Sequence, residues 1–72
     1  MTYSIDPAAI AKKLKALRVA RGKTIVEMSD ETGIGRTALT NYELGIRVPR
    51  DEVKLRLAHY FETSVDDLFF SA

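Results

Sequence analysis

An all-α fold, a compact bundle of five short helices, is predicted for this 72-residue chain. Three observations predict it. Apolar residues recur at helical spacing, as Ile10, Leu14 and Leu17 do at i, i+4 and i+7. Start and stop signals bracket each apolar stretch, and no alternating apolar–polar run competes as a strand. The connections are short, which suits helices packed around one small core. A chain of this length is expected to be a single domain, 1–72.

The first helix, about 7–21, opens at Asp6-Pro7, where Asp can cap and Pro is pre-set for the first turn. Gly22 closes it with a residue free to take positive φ. The second, 25–32, begins with a capping box, Thr24 as N-cap and Glu27 at the third helical position. Gly33 ends it. The third, 36–43, runs from Arg36 to Glu43 after Gly35 and before Gly45. Pro49 forbids simple continuation, and Val48 before it favours extended backbone. The fourth, about 52–61, gathers Val53, Leu57, Ala58, Tyr60 and Phe61 on one side and Glu52, Arg56 and His59 on the other. Ser64 caps the last, 65–70, with Asp66 and Asp67 at the end where the helix dipole favours anions.

Composition excludes several classes. No cysteine is present, and His59 is the one histidine, so disulfides, thiolate metal sites and histidine clusters are excluded. No nucleophile–base arrangement or phosphate-cradling glycine loop appears, so no enzymatic activity, cofactor or metal is expected. The apolar runs are far shorter than the ~20 residues of a membrane span. MTYSIDP lacks the basic and apolar regions of a signal peptide. A soluble, cytoplasmic protein is the expectation. Net charge is only +1, yet it is polarised. Lys12, Lys13, Lys15, Arg18, Arg21 and Lys23 crowd the first helix and its exit against Asp6 alone. Asp51, Glu52, Glu62, Asp66 and Asp67 outweigh Lys54 and Arg56 near the other end.

The second and third helices are separated only by Gly33-Ile34-Gly35, the layout of a helix-turn-helix over about 24–43. At ~100° per residue, Arg36, Thr40, Thr37 and Asn41 fall on one side of the third helix. Ala38, Tyr42 and Leu39 fall on the other, and Glu43 sits at the boundary. The outward face offers only groups that match base edges in a DNA major groove. Arg pairs with guanine, Asn with adenine, and the Thr methyl meets thymine. Arg36 and Thr37 lie at the helix N-terminus, the end that a reading helix turns to the bases.

These features resemble the lambda-repressor-like, Cro-type helix-turn-helix domains of phage and bacterial regulators. Five stretches carry the resemblance in register: Leu17-Arg18, Thr24 to Ile34, Arg36 to Gly45, Pro49 with Leu57-Ala58 to Phe61, and Ser64 to Leu68. The resemblance implies a DNA-binding transcription regulator, a repressor acting on double-stranded DNA. Arg36, Thr37 and Asn41 fall at its base-contacting positions, with Thr40 beside them. Thr24, Arg47 and Arg50 fall at its phosphate-contacting positions, and Arg18 and Glu43 match a structural ion pair joining the first and third helices. The chain departs from the pattern at four places: Ile25 stands for the usual Gln, Gly35 for Ser or Thr, Leu44 for Asn, and Lys23 for an apolar residue.

Leu68, Phe69 and Phe70 are three adjacent large apolar residues on a very short helix. One is expected to be exposed and to form, with Ile46 or Val48, the interface of a homodimer on a palindromic site. The same cluster and the near-neutral charge motivate an alternative: an antitoxin-like protein-interaction module with a protein partner and secondary DNA binding.

Overall fold

The computed structural model describes residues 6–70; residues 1–5 and 71–72 of the expected 1–72 domain lie outside the described residues. Four α-helices follow in order: α1 (Pro7–Ala20), α2 (Ile25–Thr32), α3 (Arg36–Glu43) and α4 (Asp51–Tyr60). A π-helical turn, Asp66–Phe70, closes the fold. The second and third helices lie where the sequence predicts them, and α1 ends one residue early. The Arg21 N–H there is shared between the Leu17 and Arg18 carbonyls, both 3.2 Å away. The fourth helix is shifted by one residue at each end. Arg50 serves as its extended N-cap, which brings Asp51 and Glu52 into the first turn.

Capping chemistry sets these bounds. The Asp6 carboxylate accepts the Ala8 N–H at 3.0 Å, with Pro7 in the first turn. Thr24 Oγ1 accepts the Glu27 N–H at 3.1 Å while the Glu27 carboxylate accepts the Thr24 N–H at 3.0 Å. These contacts hold the Glu27 carboxyl below its ordinary pKa, the bond from the Thr24 backbone being the main cause. Ser64 Oγ accepts the Asp67 N–H at 3.0 Å, as its expected capping role requires. At the end of α4, the Thr63 N–H reaches the Ala58 carbonyl (2.9 Å) and the Glu62 N–H reaches that of His59 (3.1 Å). This is a Schellman closure, and it forces Glu62 to φ +56°, a left-handed position usually taken by glycine.

The core joins every element. Ile10, Leu14, Met28, Ile34, Leu39, Tyr42, Leu57, Ala58, Phe61, Leu68 and Phe69 form one buried cluster, with Leu17 packed half-buried against it. The first helix lies along α3, α2 packs on α3 and α4, and the closing turn returns to α1.

Two expectations are corrected here. Leu68 and Phe69 are core residues, 2% and 3% exposed, and Phe70 is half-buried. The surface cluster expected to serve a dimer or another protein is therefore largely absent. An i→i+5 turn holds more residues than an α turn, so consecutive side chains diverge less and can share one face. Lys54 also covers them: its ammonium lies 5.1 Å from the Phe70 ring centre and 6.0 Å from that of Phe69. Lys54 is itself buried, and Asp51 Oδ1 lies 3.6 Å from its nitrogen. The second correction concerns Tyr60, which its spacing groups with the apolar side of the fourth helix and which packs against the core without entering it. It is half-buried, and its hydroxyl donates to the Glu31 carboxylate at the rim.

That bond belongs to a polar clamp. Lys23 Nζ meets Glu31 Oε2 at 2.9 Å, and the Arg21 guanidinium stacks 5.6 Å from the Tyr60 ring centre. Lys23, unusual in its position, thus ties the α1–α2 connection to α2 by charge. The Glu31 carboxyl is held below its ordinary pKa, first by the Tyr60 hydrogen bond and then by Lys23. Burial, followed by Glu31, pushes the Tyr60 phenol up.

A stronger contact joins α1 to α3. Arg18 Nε and Nη2 grip both oxygens of Glu43 at 2.8 and 2.9 Å, and Nη1 donates to the Lys23 carbonyl at 2.8 Å. The side chains are only 15% and 9% exposed. The hydrogen bond to Glu43 raises the Arg18 pKa against the opposing effect of burial.

Glu43→Leu is expected to destabilise the fold by ~3–5 kcal/mol, because it strands a shielded guanidinium. Arg18→Met combined with Glu43→Leu should recover most of that loss. Urea unfolding followed by circular dichroism reads both, and a single variant as stable as the wild type would refute the structural role. Glu62→Gly should stabilise. A left-handed non-glycine residue costs ~1–2 kcal/mol, and the added freedom of the unfolded glycine takes back ~0.4–1 kcal/mol. A rise in melting temperature of a few degrees is expected, and an unchanged or lower one would count against strain at Glu62.

Candidate nucleic-acid interface

The turn between α2 and α3 sets the reading geometry. Gly33 adopts φ +75° and its N–H closes α2 on the Ser29 carbonyl at 2.9 Å. Ile34 then drops into the core. Two hydroxyls brace it: Ser29 Oγ donates to the Ile34 carbonyl at 2.6 Å, and Thr32 Oγ1 accepts the Ile34 N–H at 3.2 Å while donating to the Met28 carbonyl at 2.7 Å. Both residues were missed as turn-formers in the sequence. Small hydroxyl residues in the last turn before a glycine are the signal that could have found them. Gly35 is the N-cap of α3 and makes no side-chain cap.

On α3 the two faces divide as the spacing predicts. Leu39 and Tyr42 are buried, Ala38 is half-buried, and Glu43 is fixed by Arg18. Arg36, Thr37 and Thr40 are exposed on the outward face. Asn41 lies on the same face but is half-buried, because the chain leaving α3 folds back over it. The Ile46 and Arg47 N–H groups both point to the Asn41 carbonyl, at 3.0 and 3.4 Å. Gly45, at φ +75°, lets the chain make that return. The candidate base-reading set is thus gathered on one short helix.

The candidate phosphate-contacting residues bracket it. Thr24 is exposed at the N-terminus of α2, with its oxygen accepting the Glu27 N–H, a bond that does not use the hydroxyl proton. Arg47 and Arg50 are exposed in the connection between α3 and α4. They share an open depression with Gly33, Gly35, Glu52 and Arg56, beside the start of α3. A second depression runs along the other end of the helix, lined by Lys15, Arg18, Ile25, Thr40, Glu43 and Leu44. Sequence reasoning singled out neither Lys15 nor Arg56 for this surface. Of the three first-helix lysines, Lys13 instead donates to the Asp67 carbonyl at 2.7 Å and so serves the closing turn.

Among the described residues, no three His, Cys, Asp or Glu side chains come together in a way that could hold a metal ion. No described helix is long and apolar enough to cross a membrane.

Several proteins similar to this chain are named as transcriptional regulators or repressors. The chain is 37% identical over 59 residues to the cryptic phage CTXphi transcriptional repressor RstR of Vibrio cholerae, covering 82% of this chain and 53% of that protein. It is 33% identical over 60 residues to the HTH-type transcriptional regulator ImmR of Bacillus subtilis, covering 83% of this chain and 47% of that one. The chain therefore spans about half the length of these curated relatives. In three dimensions it is similar to the SOS-response transcriptional repressor LexA of Eubacterium rectale, with a TM-score of 0.82 and 25% identity over 94% of this chain and 72% of the other. The profile of the Helix-turn-helix family HTH_3 matches residues 14–68, which takes in all of the core cluster except Ile10 and Phe69, the Arg18–Glu43 pair and the whole of α3, and the chain belongs to that family.

Proposed function

We propose that this chain reads a specific sequence in double-stranded DNA with α3 and represses transcription from the site it occupies, in the cytoplasm and without enzymatic chemistry. The observation that carries this reading is the outward face of α3. Arg36, Thr37, Thr40 and Asn41 present hydrogen-bonding groups, while Leu39, Tyr42 and Glu43 fix the opposite side to the protein. A helix anchored in that way can hold its donors and acceptors at base edges with little motion. In this reading Arg36 pairs with guanine and Asn41 with adenine. Thr24, Arg47 and Arg50 contact phosphates, which supply affinity and orientation without sequence preference. The transcriptional repressor RstR and the LexA protein support the repressor role by their similarity.

The antitoxin-like alternative loses its main motive, since Leu68 and Phe69 are core residues. A homodimer retains one. Leu44 and Ile46 are exposed apolar residues at the exit of α3, 64% and 68% accessible, and Val48 follows half-buried. The dimer would set two copies of α3 ~34 Å apart on a palindromic site.

Selection of preferred duplexes from a random pool tests the reading directly: an enriched motif is expected, and recovery of none would falsify it. Against the recovered duplex, Arg36→Ala should weaken binding by ~1–3 kcal/mol and relax the preference at one base pair. Loss that is equal for every sequence would assign Arg36 to the backbone instead. Two half-sites about one helical turn apart, with sedimentation showing two protomers per duplex, are expected of the dimer. A single half-site bound by one protomer would overturn it.

A further inference from the structure

Lys15 on α1 and Arg56 on α4 lie outside the helix-turn-helix, yet each lines one of the two depressions beside α3. The depressions lie on opposite flanks of that helix. With Arg36 at zero and ~100° per residue, Ala38 and Tyr42 of the first depression fall at ~200° and ~240°. Thr40, Glu43 and Leu44 of the second fall at ~40°, ~340° and ~80°. The outward residues Arg36, Thr40, Thr37 and Asn41 span ~0° to ~140°, so Glu43 borders this arc on one side and Ala38 on the other, while Thr40 and Leu44 of the second depression lie within it. A helix with its side chains is ~10–12 Å across, and a major groove is ~12 Å wide. A helix seated there has a sugar–phosphate strand along each flank.

We propose that Arg56 and Lys15 are phosphate contacts, one for each strand bordering the groove that α3 enters; this rests on the DNA-reading role proposed above. The Arg56 guanidinium lies against the turn. A Cβ built on Gly33 would sit 3.7 Å from its Nη1. It pairs with Glu52 through one contact, Nη2 to Oε1 at 3.2 Å, with both side chains well exposed. Such a pair is weak, and a guanidinium has five donors, so most remain for a phosphate. Arg47, Arg50 and Arg56 against Glu52 leave this flank two net positive charges. On the opposite flank Arg18 and Glu43 offset each other, and exposed Lys15 supplies the net charge. Ile25, at the start of α2 in that depression, has an apolar side chain, which leaves Lys15 as the uncompensated charge facing the strand there.

The test titrates the selected duplex and a scrambled one by fluorescence anisotropy across a series of potassium chloride concentrations. The variants are Lys15→Gln, Arg56→Gln, Glu52→Gln, and Lys12→Gln, an exposed α1 lysine outside the depression. Lys15→Gln and Arg56→Gln should each weaken both duplexes alike, about fivefold near 0.15 M salt, and reduce the salt slope by ~0.9 per protomer. The selected motif should not change. Glu52→Gln should tighten both duplexes by removing a carboxylate that faces the strand, and Lys12→Gln should keep the wild-type slope. Circular dichroism checks that each variant is folded. Wild-type slopes in both Lys15→Gln and Arg56→Gln, with the wild type itself binding DNA, would overturn this proposal alone. A changed slope in one variant keeps that flank and overturns the other. A wild type that binds no duplex in a salt-dependent way overturns the DNA-reading role and this proposal with it.

Discussion

The bidentate contact between Arg18 and Glu43 is the tie on which the presentation of α3 depends. Eight residues make barely two turns, and an isolated helix of that length is not stable in water. One side of α3 is polar and exposed, so its order has to come from the other side. Leu39 and Tyr42 supply burial, and burial alone leaves rotation about the helix axis softly defined. A planar guanidinium held at 2.8 and 2.9 Å by both oxygens of one carboxylate restricts that rotation. The third Arg18 donor reaches the Lys23 carbonyl, which couples the same cation to the entry of α2. One side chain therefore relates the first three helices to each other.

The approach of α3 to a ligand is set in the turn before it. Gly33 reverses the chain, Ile34 anchors it, and the hydroxyls of Ser29 and Thr32 satisfy backbone groups that the reversal would otherwise leave open. These bonds are local, short and partly shielded. They brace the turn between α2 and α3 around Ile34, which the core then holds from within.

Much of this was legible in the sequence because it is local. The capping box at Thr24 and Glu27, the glycine stops and the two faces of α3 each follow from residues within one short stretch of chain. The structural ion pair was legible only through resemblance, since nothing local links Arg18 to Glu43 across 25 positions. Other features depend on contacts between distant segments. Asn41 sits on the expected face, but the returning chain half-covers it. Lys54 keeps helical register with Leu57, Ala58 and Phe61, at i, i+3, i+4 and i+7, a spacing that fits the buried side but that its charge kept from being read so. Two aromatic rings from the closing turn, distant in sequence, give the ammonium its partner there. The same contact covers those rings, so a run expected to leave one residue exposed has Leu68 and Phe69 in the core and Phe70 half-buried.

The division of α3 into an anchored side and an exposed side separates inheritance of the fold from inheritance of the reading. Leu39, Tyr42 and Glu43 are bound by packing and charge, and exchanging any of them disturbs the domain. Arg36, Thr37 and Thr40 are exposed, and substitutions at such positions usually change stability by less than ~0.5 kcal/mol. Descendants of this chain can drift at those three positions while folding as before. New binding preferences can then arise by single steps, each passing through a folded protein.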